Sequence, residues 1–204
     1  MSSLQSLSDL AWRTIAERSC CVSGTRVDMP TFIPASEEII DGRFEDYPVL
    51  QYLEQALGNA EVAGFGDIVA AYRAAADQIH YSQNSRYTPE NCARAFLDGY
   101  AYGVVSGPGG PILCEAPRGG FLIMGPGVFY PDHYHKAREV YMILSGHAQW
   151  RLDKGDWFDV GPGDVVYHDS WVWHAMQTAD EPILTFAGWI EPGERNSISF
   201  SRET

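Results

Sequence analysis

Apolar positions in the first half of the chain recur at helical intervals. In "SLSDLAWRTIAE" the residues Leu7, Leu10, Ala11 and Ile15 fall three or four apart or side by side, which gives a helix over this segment one apolar face. "DYPVLQYLEQALG" predicts a second helix stopped by Gly58, and the Ala-rich "FGDIVAAYRAAADQI" predicts a third. "TPENCARAFLDGYAYG" predicts a fourth, with Thr88 as N-cap and Pro89 at the first helical position, where a missing N–H costs nothing. "SGPGGP", residues 106–111, then breaks the pattern. Beyond it the period changes to short runs of Val, Ile, Phe, Tyr and Trp parted by Gly, Pro and Asp: "FLIMGPG", "EVYMILSG", "HAQWRL", "DWFDVGPGD", "VVYH", "WVWHAMQT" and "ILTFAGWI". The runs lie too close together for crossover helices, so they predict an antiparallel sandwich or barrel. The expected fold is mainly β. A helical region at 1–111 packs on a barrel at 112–204, and its helices cover one end and shield a pocket from water.

Composition narrows the partners. A chain of 204 residues that is 45% hydrophobic can bury one good-sized core. The 14 Lys and Arg against 27 Asp and Glu leave a net charge of −13, which repels the phosphates of nucleic acid and of anionic lipid. A small cationic or zwitterionic ligand is compatible with that charge. Cys20 and Cys21 are adjacent, while Cys92 and Cys114 stand far apart, so neither a metal-binding Cys pair nor a disulfide framework is expected. The N-terminus has no basic start followed by a long apolar run, and no stretch of about 18 apolar residues occurs, so no membrane span is expected and the cytoplasm is the expected location. Exposed sheet edges are compatible with a homodimer.

The candidate chemistry is concentrated in "DHYHKAREVY", residues 132–141. Side chains alternate along a strand, so His133 and His135 share a face, as do Glu139 and Tyr141. A bend at 136–138 would bring the two pairs together. Two imidazoles and a carboxylate suit a divalent first-row metal, and a further histidine would complete the set. His174 in "WVWHAM" is the candidate fourth ligand. His168, six residues earlier with the same parity, is the rival. His80 and His147 read as surface or capping histidines. The frame from Gly127 through His133, His135 and Glu139 to Gly146 is the first cupin motif, G-x5-H-x-H-x3-E-x6-G, without a mismatch. The second motif is only partly present. Aligned on Gly163, its proline falls on Asp169, its second glycine on Trp171, its histidine on His174 and its asparagine on Thr178. The turn before His174 is thereby put in question, although the ligand remains.

"HYHKAREVY", with a tyrosine two residues after the glutamate, preceded by "FYP" and by about a hundred largely helical residues, resembles the cupin dimethylsulfoniopropionate lyases of the DddQ and DddL type. That resemblance implies a β-elimination giving dimethyl sulfide and acrylate. It also implies that His133, His135, Glu139 and His174 hold the metal, that Tyr141 is the general base, and that Tyr130 is a second tyrosine at the substrate. The donor set accepts Fe2+, the first expectation, and equally Zn2+, Mn2+, Co2+ or Ni2+. A cation beside Tyr141 would lower its phenol pKa, and aromatic faces from Tyr130, Trp189, Trp171 and Trp173 could hold a sulfonium. Two other classes share the frame: another metal-dependent cupin enzyme, an oxygenase or isomerase, and a small-molecule-binding cupin without catalysis.

Overall fold

A computed structural model describes residues 2–18, 36–37, 46–108, 110–191 and 199–200. Cys20 and Cys21 lie outside them. Helix α1 (Ser3–Glu17) begins where the Ser2 hydroxyl accepts a hydrogen bond from the Gln5 amide at 3.1 Å. It buries Leu4, Leu7, Ala11, Trp12 and Ile15, as its periodicity predicts. Helix α2 (Leu53–Ala60) follows a short 3-10 turn and runs through Gly58, the expected stop. The break comes at Gly64 instead, whose φ of +95° is a left-handed conformation that costs glycine little. Helix α3 (Gly66–Ala75) completes the group.

The fourth predicted helix is corrected most. Thr88 does not cap it: the Thr88 carbonyl accepts from the Asn91 and Cys92 amides at 3.0 and 2.9 Å, which closes a single turn. Helix α4 is only Arg94–Gly99, with Ala93 at its N-cap. Tyr100 already belongs to a strand, because "YAYGVVS" pairs along its length with a neighbouring strand, and pairing overrides local helix preference.

The strands among the described residues are β1 (Ser36–Glu37), β2 (His80–Ser82), β3 (Tyr100–Ser106), β4 (Ile112–Leu113), β5 (Arg118–Met124), β6 (Phe129–Tyr134), β7 (Glu139–Ser145), β8 (Ala148–Leu152), β9 (Phe158–Val160), β10 (Val165–His168), β11 (His174–Thr178), β12 (Ile183–Trp189) and β13 (Ser199–Phe200). The larger sheet runs β1-β4-β3-β5-β12-β7-β10, with β2 beside β3; the smaller runs β13-β6-β11-β8-β9. The sheet thus takes in β2 and β3, upstream of the Gly-Pro break. Except for one β3–β4 bridge, the pairing is antiparallel.

Alternation along the larger sheet sorts side chains into two cores. Val140, Met142 and Leu144 of β7, with Phe121, Ile123 and Phe186, face outward under α1–α3. Tyr141 and Ile143, with Leu122, Met124 and Ala187, face into the space between the sheets. Trp12 meets Phe186 edge-on at 5.4 Å, over the paired glycines Gly119 and Gly188. A Cβ on Gly188 would come within 2.7 Å of the Trp12 ring, so the small residues make the bed on which α1 lies. The helices α1–α3 therefore back the sheet, whereas the segment around Tyr87 and Phe96 closes the barrel interior.

Candidate metal centre

The bend between β6 and β7 carries the chain from one sheet to the other. It brings His133 at the end of β6 and His135 just beyond it over Glu139, the first residue of β7. His174 opens β11 directly opposite His133, and His168 closes β10 opposite Glu139. Ligand atoms of His133, His135 and His174 lie within 4.8 Å of one another, and so do those of Glu139, His168 and His174. All five residues are buried.

The turn ahead of His174 survives its altered sequence. Trp171, standing where the motif has glycine, has φ of +65°, and its amide donates to the His135 carbonyl at 2.8 Å. A left-handed tryptophan costs on the order of 1–2 kcal/mol, which the surrounding contacts must offset. Thr178, in place of the motif's asparagine, donates to the Gly125 carbonyl at 2.7 Å and accepts from the Val128 amide at 2.7 Å, tying the turn between β5 and β6 to β11.

Hydrogen bonds fix the tautomers. His133, His135 and His174 each place Nδ1 within 2.8–2.9 Å of a backbone carbonyl two residues away, that of Pro131, Ala137 and Val172 respectively. A carbonyl only accepts, so Nδ1 carries the hydrogen and each Nε2 is left to face the common centre. The His174 Nε2 is buried without a hydrogen-bond partner, 3.5 Å from Glu139 Oε2. The His135 Nε2 is 3.1 Å from the same oxygen, a contact that needs either a proton or a cation between two lone pairs. This donor set fits a divalent metal. His168 is different: its Nε2 accepts from the Trp150 indole at 2.9 Å and its Nδ1 faces Glu139 Oε2 at 3.3 Å.

Electrostatics agree with the geometry. Burial, then the neighbouring imidazoles, hold His133 well below its ordinary pKa. Burial, then His168, bring His174 down to about 3. Both are neutral and available as ligands at neutral pH. Burial also lowers His135, but the charge and hydrogen bond of Glu139 outweigh it and raise the group. For Glu139 burial works toward the neutral acid, yet His135 and the contacts from His168 and His174 hold the carboxyl well below the usual range.

Beside the cluster is a cavity of about 580 Å³ lined by Tyr100, Tyr102, Tyr130, Glu139, Tyr141 and Trp189, with Ser82–Arg86 and Arg118 also in its wall. Burial, then the Glu139 charge, push the Tyr141 phenol well above its ordinary value of 10. Tyr130 is turned elsewhere. Its ring stacks on His133 at 4.6 Å, and its hydroxyl donates to Tyr87 at 3.2 Å. The Trp189 indole donates to Glu139 Oε1 at 3.0 Å, and the Arg118 guanidinium lies 4.8 Å from the ring. The other two expected aromatics are not brought into this cavity. Trp171 is 51% exposed, and Trp173 packs on Tyr134 with the Lys154 ammonium 4.1 Å from its ring.

Sequence reasoning missed Tyr87, Tyr100, Tyr102 and Arg118. Reading residues 100–106 as a strand would have put Tyr100 and Tyr102 on one face, but Arg118 reaches the cavity through the pairing of β5 with β12, and Tyr87 sits behind it against Tyr130, Phe96 and Tyr100; neither leaves a local mark. His80 is partly buried on β2, and His147 is exposed with Glu181 at 2.7 Å, both away from the cluster.

The family model for dimethylsulfoniopropionate (DMSP) lyase matches residues 34–185. The DMSP lyase DddQ of Ruegeria pomeroyi is 35% identical over 94 residues, 46% of this chain; the match spans about half, 47%, of that relative's length. The DddL protein of Cereibacter sphaeroides is 27% identical over 83% of this chain and 71% of its own. A solved structure from work on the DMSP lyases RdDddP and RnDddQII superposes with a TM-score of 0.73 at 26% identity, covering 98% of this chain and 97% of that one. The crystal structure of DddQ from R. pomeroyi superposes at 0.71 with 22% identity over 99% and 98%, a likeness of fold.

Proposed function

The chain belongs to the dimethylsulfoniopropionate lyase family, and from that premise we propose that it cleaves dimethylsulfoniopropionate into dimethyl sulfide and acrylate. The observation that carries this is one cavity whose wall holds both Glu139, the carboxylate of the buried histidine cluster, and Tyr141, two residues further along the same face of β7. His133, His135, Glu139 and His174 would hold one divalent metal, Fe2+ first among the candidates. When bound, such a cation polarises a substrate carboxylate and favours the phenolate of a nearby tyrosine.

The chain's own residues do the rest. Tyr141, as phenolate, takes the proton from the carbon next to the substrate carboxylate. The C–H electron pair becomes the C=C bond of acrylate as the C–S bond breaks, and its pair leaves on neutral dimethyl sulfide. The sulfonium needs no acid. Tyr102, Tyr130 and Tyr141 offer it aromatic faces worth about 0.5–2 kcal/mol each. Trp189 already carries Arg118 on its ring, so its part is to hold Glu139 and wall the cavity. Trp171 and Trp173 contribute to the turn and outer surface. Tyr141 is favoured over Tyr130 as base because it shares the inner face of β7 with Glu139, whereas the Tyr130 hydroxyl is already given to Tyr87.

An anaerobic headspace assay tests the reading. Purified protein given dimethylsulfoniopropionate should release dimethyl sulfide and acrylate in equal amounts without oxygen, and chelation should stop it. Turnover that required oxygen would point to an oxygenase on the same frame, and tight binding without product would point to a binding cupin.

A further inference from the structure

His168 stands in the same cluster as the metal ligands, has the same side-chain types around it, and is nevertheless built differently. We propose that His168 is not a metal ligand but a positioning residue: held in one tautomer by Trp150, it orients the Glu139 carboxylate for the metal. This deepens the proposed metal centre and rests on it.

The sheet register sets up the arrangement. Arg118, Trp189, Glu139 and His168 are direct cross-strand partners on β5, β12, β7 and β10, forming a single rung across four strands. Partners on one rung project to one face, here the interior. From the opposite sheet the fully buried Trp150 on β8 reaches across, and its indole N–H lies 2.9 Å from His168 Nε2. An indole nitrogen can only donate. His168 Nε2 must therefore be the acceptor, which leaves the hydrogen on Nδ1, and Nδ1 faces Glu139 Oε2 at 3.3 Å. Glu139 Oε1 receives the Trp189 indole hydrogen at 3.0 Å from the other side. Each carboxylate oxygen is thus pinned by a fixed N–H donor, and neither carboxylate rotation nor a tautomer change in His168 is free.

The contrast with the other three imidazoles makes the assignment. In His133, His135 and His174 the hydrogen of Nδ1 goes to a backbone carbonyl, leaving Nε2 toward the shared centre. In His168 the Nε2 lone pair is already spent on a protein donor buried in the barrel core. An indole hydrogen would have to lose its acceptor for His168 to bind metal, and a buried donor without a partner costs about 1–3 kcal/mol.

Two substitutions and one measurement on the unaltered chain test this. His168→Leu removes the donor, whereas His168→Asn keeps an N–H near the place of Nδ1. Co2+ affinity by chelator competition, with the Co2+ absorption spectrum, is measured for wild type, both variants and His174→Ala. Loss of an outer partner typically weakens metal binding about 10- to 100-fold. His168→Leu should therefore still bind one Co2+ per chain, with affinity lowered by that factor and shifted absorption bands, and His168→Asn should recover most of both. If both variants lose the bound Co2+ while folded, His168 is a ligand and the proposal fails. Unchanged affinity and spectrum in His168→Leu would make it merely structural and also refute it.

Should the variants not fold, 15N NMR of the wild-type histidines decides. On adding Zn2+, Nε2 of His133, His135 and His174 should move, while His168 keeps its Nδ1–H and an unshifted Nε2. Movement of His168 Nε2 like the others overturns the proposal. A wild-type chain that binds neither Co2+ nor Zn2+, or a His174→Ala chain with full affinity, overturns the metal centre itself, and is distinguishable because it does not depend on residue 168.

Discussion

The two faces of the larger sheet are made from alternate residues of the same strands, yet they follow different rules. On the outer face Val140, Met142 and Leu144 meet Leu7, Trp12 and Ile15 of α1 and the residues of α2 and α3 in one apolar core. There, volume and shape decide, and many hydrophobic side chains of equal size would serve. On the inner face the next residues along, Glu139 and Tyr141, share the interior with His133, His135, His168, His174 and Trp150, and nearly every polar atom has a named partner or faces the centre. There, single atoms matter. One strand, β7, thus packs the outer core with Val140, Met142 and Leu144 and turns Glu139 and Tyr141 toward the cluster.

The contrast is sharpest at Tyr141. Tyr141→Phe removes one oxygen and keeps the ring, so fold and metal content should persist. A positioned general base contributes about 10² to 10⁴ in rate, so dimethyl sulfide release should fall by that factor. Near wild-type turnover in Tyr141→Phe, with loss in Tyr130→Phe, would transfer the role to Tyr130.

On the outer face, Leu7→Ala should cost about 2–5 kcal/mol in unfolding free energy, measured by urea denaturation, because Leu7 is fully buried and its neighbours cannot close the gap. The folded fraction should turn over at the wild-type rate. A changed rate with unchanged stability would break the division between the faces.

A further effect concerns acid. In the metal-free chain His133, His168 and His174 have pKa values lowered by burial from an ordinary 6.5. Below 6.5 the unfolded chain takes up protons that the folded chain refuses, so stability should fall as pH drops below about 6.5, by about 1.4 kcal/mol per pH unit for His174, whose folded value is about 3, with His133 and His168 acting in the same direction. Above that window these three groups make no demand. Urea midpoints at pH 7.5, 6 and 5 measure it, and a flat profile would mean that the histidines are not buried neutral. The smallest effect is expected at Trp173, outside the cavity: Trp173→Phe should change lyase rate by less than about 0.5 kcal/mol in barrier, as surface substitutions generally do.

Much of this was legible in local sequence. Strand parity and the spacing of His133, His135 and Glu139 gave the inner face of β6 and β7, because both rules act within a few residues. The helical period gave α1 and α3 for the same reason. Residues 88–103 misled, since Thr-Pro and an alanine-bearing amphipathic run have helix chemistry, while the strand that forms at Tyr100 depends on β5, some twenty residues away. The choice between His174 and His168 is similarly non-local. Parity admits both, and the difference is the Trp150 hydrogen bond from the opposite sheet.

The central claim is that one metal in this cluster supports lyase activity, and titrating metal-free protein tests it most directly. Fe2+ is added stepwise without oxygen while dimethyl sulfide is measured in the headspace. Activity should rise from zero in proportion to added metal and level off at one equivalent per chain, with no such rise in His135→Ala or His174→Ala. Full activity in the metal-free protein, or one bound metal per chain without dimethyl sulfide from any of Fe2+, Zn2+, Mn2+, Co2+ or Ni2+, would contradict the account.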